Sequence, residues 1–130
     1  MPRRRDEATI QQIVDAADKI VRRSHSLSYD QFLEDDEKQD ALIRPLEIMG
    51  EAVSRSARHF RTANPDLMPW STVKAMRNLL IHGYDTVDLD EVWTMVTHDV
   101  PVLRDKLRTW LASQVHRTDE PNPVTPDDQD

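Results

Sequence analysis

The stretch Asp88–Leu111, DLDEVWTMVTHDVPVLRDKLRTWL, sets the fold class of this chain. Leu89, Val92, Trp93, Val96, Val100, Leu103, Leu107, Trp110 and Leu111 recur at three- and four-residue spacing over six turns. That period belongs to an amphipathic helix with one buried stripe, and it places Trp93 and Trp110 in packing roles. Asp88-Leu89-Asp90-Glu91 has the pattern of a capping box, so the helix should open there. Pro101 lies inside and should bend it, because a proline removes one backbone donor and crowds the preceding turn.

The same period appears upstream. Ile10, Ile13, Val14, Ala17, Ile20 and Val21 form one apolar stripe, predicting a first helix from about Asp6–Thr9 to Ser24. Ser28-Tyr29-Asp30-Gln31 reads as a capping box that opens a single turn, with Tyr29, Phe32 and Leu33 as its buried face. The acidic run Glu34–Glu37 suits the positive end of a further helix. That helix should reach about Arg61, burying Leu42, Ile43, Leu46, Met49, Ala52, Val53, Ala57 and Phe60, with a kink or staggered start at Pro45. After the proline-bounded loop Asn64–Pro69, a fourth long helix should begin at Trp70 or Ser71 and end at Gly83, as a left-handed C-terminal glycine ends one. The reading is an all-α, up-and-down bundle of four main helices plus a short one. Met49, Met68, Met76 and Met95 read as core or interface filler.

Composition bounds the rest. With 130 residues the chain has room for one sizeable core. Only two glycines and no cysteine are present, which disfavours sheets, disulfides, thiolate metal sites and cysteine nucleophiles. No segment has the length and apolarity of a membrane span, so a soluble cytoplasmic protein is expected. The net charge is −7, but residues 118–130 contribute −5 of it through Asp119, Glu120, Asp127, Asp128 and Asp130, which leaves −2 for the remainder. A nearly neutral body can carry a small focused cationic site, whereas a broad basic face is not expected. Three boundaries follow: a flexible N-terminus at 1–7 that includes Arg3–Arg5, a helical domain at 8–116, and a disordered acidic, proline-rich tail at 117–130.

The chemistry is concentrated in Ala75–Tyr84, AMRNLLIHGY. Arg77 is a permanent cation, and histidine exchanges a proton near neutrality, as His82 would here. A fixed positive charge beside a proton carrier suits reaction at a phosphodiester without a metal ion. Asn78 and His82 are four residues apart and share a helix stripe; Lys74, Arg77, Ile81 and Tyr84 form a neighbouring one. Arg77 and His82 would point about 140° apart on an ideal helix. Both can reach one phosphate only if the helix frays before Gly83 or if a second copy completes the site. The bland alternative is a solvated arginine and a histidine favoured by the helix C-terminal dipole. His25, His59, His98 and His116 have no partner at metal-ligand spacing, and no metal or cofactor is expected.

Arg77, four residues, His82, one residue and Tyr84 resemble the R-x4-6-H motif of the HEPN superfamily in its H-x-Y form. Pro69-Trp70, Met76-Arg77-Asn78, Leu80–Tyr84 and Val87–Trp93 resemble the HepT-like branch of that superfamily. Leu46–Ala52 and Asp99–Leu103 resemble further blocks of it, and the likeness spans roughly residues 8–112. Pro45 and Asp85 depart from the pattern, where a non-proline and an aromatic are usual.

The resemblance implies a homodimeric, metal-independent endoribonuclease toxin, paired with an MntA-like nucleotidyltransferase antitoxin. It implies that Arg77 and His82 are catalytic, with Asn78 and Lys74 supporting them, and that two motifs meet in one cleft of the dimer. It also implies that Tyr84 receives adenylate from the antitoxin, which blocks RNA. The competing reading is a non-catalytic helical adaptor that docks a nucleotidyltransferase and presents a substrate to it.

Overall fold

The computed structural model describes residues 2–56, 58–67, 70–82 and 87–119, without the side chains of 2–4, 59, 72, 75, 79–82 and 115–119. The expected flexible or disordered tail lies outside the described residues from 120 onward, as do Gly83 and Tyr84. The described chain is all-α, with no strand among the described residues. Its helices are α1 (Pro2–Ser24), α2 (Tyr29–Glu34), α3 (Asp36–Arg55), α4 (Arg58–Ala63), α5 (Trp70–His82), α6 (Leu89–Thr94) and α7 (Val100–Asp119). Among the described residues, no helix is long and apolar enough to cross a membrane.

Local chemistry sets the helix starts. The Ser28 hydroxyl accepts from the Gln31 N–H at 3.1 Å, and the Gln31 side chain accepts from the Ser28 N–H at 2.9 Å. This is the reciprocal box expected from the sequence. Asp35 caps α3 by accepting from the Glu37 N–H at 3.0 Å. Asp88 caps α6 by accepting from the N–H groups of Asp90 and Glu91 at 2.9 and 3.3 Å. Each satisfies donors that a helix start leaves without partners. Helix α1 begins earlier than its apolar stripe suggests, at Pro2, a position where the missing proline N–H costs nothing.

The two internal prolines are accommodated differently. Helix α3 runs through Pro45, which is buried. Without an N–H, Pro45 leaves the carbonyl of Ala41 unclaimed within the helix. A guanidinium N–H of Arg23, on α1, donates to that carbonyl at 2.8 Å. Near Pro101 the chain instead widens into a π-helical turn, Met95–Asp99, where the Val100 N–H bonds to Met95 O. The wider turn relieves the clash between the proline ring and the carbonyl four residues back, and it joins α6 to α7.

Helix α3 stops at Arg55, short of the expected Arg61. Ser56 is extended (ψ 141°), its N–H bonds to Val53 O at 3.0 Å and its hydroxyl donates to Ala52 O at 3.2 Å. The chain then restarts as α4, in which Phe60 is buried as expected. Ala57 lies outside the described residues. A second correction concerns α2. Phe32 is fully buried, but Tyr29 and Leu33 are 37% and 39% exposed. With six residues, α2 has too few turns to bury a three-residue face. Tyr29 instead lays its ring near Trp93, with centroids 5.9 Å apart, and donates its hydroxyl to Asp90.

Helix α1 packs against α3 and α7, and α3 packs against α5. Arg55 donates to Gln12 at 2.6 Å near one end, and Arg23 reaches Ala41 near the other, so α1 and α3 are antiparallel. The shared core holds Ile10, Ile13, Ala17 and Ile20 from α1, Leu42, Leu46, Met49 and Val53 from α3, and Val73 and Met76 from α5. Val92, Val96, Val100, Leu103 and Leu107 complete it from the last helices. Both tryptophans of the opening stretch pack as expected: Trp93 lies 5.2 Å from Phe32, and Trp110 meets Phe60 edge-on at 5.2 Å.

Candidate active site

Helix α5 is anchored at its start. The Trp70 ring meets Phe60 edge-on at 5.8 Å, and its indole N–H donates to Asn64 O at 3.4 Å. Val73 and Met76 are fully buried, so the inward face of α5 is fixed by these three residues. Lys74 and Asn78 fall one turn apart on the outer side, and both are exposed.

Arg77 lies at the edge between those two faces and is half-buried. Its root rests on α3 at Gly50. A Cβ built on Gly50 would lie 2.2 Å from Arg77 Cβ and 3.0 Å from both its Cα and Cγ. No real side chain tolerates such distances, so the α3–α5 crossing at this point exists because residue 50 is glycine. The close approach takes the Arg77 side chain partly out of solvent. Its Nε, like that of Arg61, is buried and has no hydrogen-bond partner among the described residues. A buried guanidinium N–H without an acceptor is costly unless something supplies one, and a phosphate oxygen is a good acceptor for it.

The backbone of α5 is helical through His82. Arg77 and His82 are therefore separated by five helical residues, about 140° around the axis, and no fray before His82 brings them to one face. His82 sits one turn past the exposed Asn78 along the same stripe. Its side chain and all of Tyr84 are outside the described residues.

These observations put a half-buried cation and an exposed amide on one helix of an all-α bundle, with His82 one turn past the amide. Comparison with known proteins identifies the family. The model of the family described as "Ribonuclease HepT-like" matches residues 13–110. The chain belongs to the HepT-like ribonuclease family. A Thermococcus cleftensis protein named "Probable ribonuclease HepT" is 35% identical over 97 residues, covering 75% of this chain and 87% of that one. Two Methanocaldococcus jannaschii proteins bearing provisional RNase names are 32% and 31% identical, over 78% and 82% of this chain and 83% and 97% of theirs. No solved structure matches the chain.

Sequence reasoning missed the role of Gly50 in seating Arg77. A signal was present: it is one of two glycines in the chain, set in a helix interior where glycine costs about 1 kcal/mol relative to alanine. A glycine there needs a packing reason, and the α3–α5 crossing is that reason.

Proposed function

We propose that the protein is a metal-independent endoribonuclease and the toxin of a toxin–antitoxin pair, with its functional unit in residues 8–116. Membership in the HepT-like family carries the ribonuclease reading. The buried, unpartnered Nε of Arg77 supports the choice of site.

In this reading His82 takes the proton from the 2′-hydroxyl of the nucleotide before the scissile bond. The 2′-oxygen attacks phosphorus, the bond to the 5′-oxygen breaks, and that oxygen leaves with a proton from a second acid. The products are a 2′,3′-cyclic phosphate and a 5′-hydroxyl, so no water is consumed in the step. Arg77 faces the phosphoryl oxygens, where negative charge increases in the transition state. Asn78 orients His82 or contacts the RNA, and Lys74 adds charge at the rim.

The divergence of Arg77 and His82 about α5 favours a homodimer in which the histidine of one protomer serves a phosphate held by the arginine of its partner. Tyr84, two residues past His82, is the site at which an MntA-like nucleotidyltransferase adds adenylate. A bulky anion there opposes an incoming phosphate by charge and by size.

The test is cleavage of a defined oligonucleotide carrying a single ribonucleotide among 2′-deoxynucleotides. Cutting only at the ribonucleotide, with a cyclic phosphate end, supports the mechanism. Equal cutting of the all-deoxy strand rejects it.

A further inference from the structure

The HepT-like motif lies on α5 and leans on α3. The other pair of long helices, α1 and α7, encloses a separate open groove of about 510 Å³. Its walls are Asp18, Val21, Arg22 and His25 from α1 and the residue just beyond its end, and Arg104 and Arg108 from successive turns of α7. Three guanidiniums and an imidazole thus converge from two helices in a chain whose net charge is −7.

The carboxylates in this region organise the cations more than they cancel them. Asp18 accepts from Arg108 at 2.7 Å and lies 3.8 Å from Arg104, so one carboxylate aligns two arginines. Asp105 approaches Arg104 at 3.4 Å, but its side chain is 70% exposed. Arg22, one turn along α1 from Asp18, has no ion-pair partner among the described residues. Three arginines against two carboxylates leave excess positive charge. Guanidiniums already ordered by a shared carboxylate lose little further freedom on binding, and their planar fork fits a phosphate. Val21 supplies an apolar wall.

We infer that this α1–α7 groove is a second phosphodiester-binding site that holds the backbone of single-stranded RNA away from the Arg77–His82 motif. The inference rests on the ribonuclease reading for the identity of its ligand. A backbone site of this kind binds without sequence preference and weakens with salt, losing about 0.7 in logarithmic slope for each phosphate contact removed.

The experiment is fluorescence anisotropy of a labelled, fully 2′-O-methylated single-stranded RNA, which the proposed chemistry cannot cleave. It compares wild type with Arg22→Gln/Arg108→Gln across a salt series. Arg104 stays in place to partner Asp18, and melting curves verify the fold. The expected result is affinity lower by about tenfold at 0.1 M salt and a salt slope shallower by about 1.4. If the double variant melts early, Arg22→Gln alone should still weaken binding severalfold, since Arg22 makes no hydrogen bond or ion pair among the described residues. Unchanged affinity and slope overturn the groove, and parallel cleavage of unmodified RNA by wild type then leaves the ribonuclease reading standing. Weakened binding in the variant, with no cleavage by wild type, keeps the groove and removes the ribonuclease reading. Absence of binding by wild type overturns the groove.

Discussion

Gly50 and Arg77 meet root to root: a Cβ on residue 50 would lie 2.2 Å from the Cβ of Arg77. Helix α3 therefore sets how deeply the arginine sits and how much of its guanidinium stays in solvent. The proposed catalytic cation is positioned by a residue with no side chain.

Gly50→Ala must push α5 outward or twist Arg77 off its rotamer. Overpacking of this kind costs about 1–3 kcal/mol, offset by about 1 kcal/mol of better helix propensity. We expect a melting temperature lower by a few degrees and RNA cleavage reduced at least tenfold, read by thermal melting and by initial rates. A variant as stable and as active as wild type would show that the close crossing has no role in the site.

Arg77→Lys separates charge from geometry. Lysine keeps the cation but lacks the forked donors and the buried Nε. Cleavage should fall by about a hundredfold or more, the usual scale for losing a donor aimed at developing charge. Stability should hold or rise slightly, because a buried unpartnered N–H is removed. Full activity in the lysine variant would reduce Arg77 to a nonspecific charge.

The fold was legible where period and capping chemistry agree. The stripes of α1 and of Leu89–Leu111 and the capping box at Ser28 stand in the structure as the sequence implied, and of the box at Asp88 the N-cap half is present. The end of α3 was not legible, because Val53 and Phe60 keep helical spacing across the break at Ser56. Nothing local in the sequence reveals that Ser56 turns its hydroxyl back onto Ala52. The α2 face was overread, since a six-residue helix presents too short a stripe to assign burial. For the proposed site, spacing alone left Arg77 and His82 about 140° apart, and the motif was read from a family resemblance. The support from Gly50 is a contact between residues 27 positions apart, which periodicity along one helix does not report.

Arg23 and Pro45 form a linked pair. Arg23→Ala leaves the Ala41 carbonyl without its donor and should cost about 1 kcal/mol at this partly solvated position. Adding Pro45→Ala restores an N–H that can reach the same carbonyl, so the loss should shrink in that background. A double-mutant cycle of chemical unfolding measures the coupling. Strictly additive effects would mean that Arg23 does not compensate for the proline.

Tyr84 is tested by mass. Co-expression with an MntA-like nucleotidyltransferase should add adenylate to the intact protein and suppress cleavage. Tyr84→Phe should remain unmodified and active under the same conditions. Unmodified wild-type protein in that experiment would remove adenylylation as the control while leaving the nuclease untouched.

The most direct test is cleavage of total cellular RNA by purified, partner-free protein in EDTA, beside His82→Ala of matched melting temperature and oligomeric state. The wild type should cut and the variant should be inactive. Equal cutting by both, or none by an unmodified wild-type dimer, would contradict it.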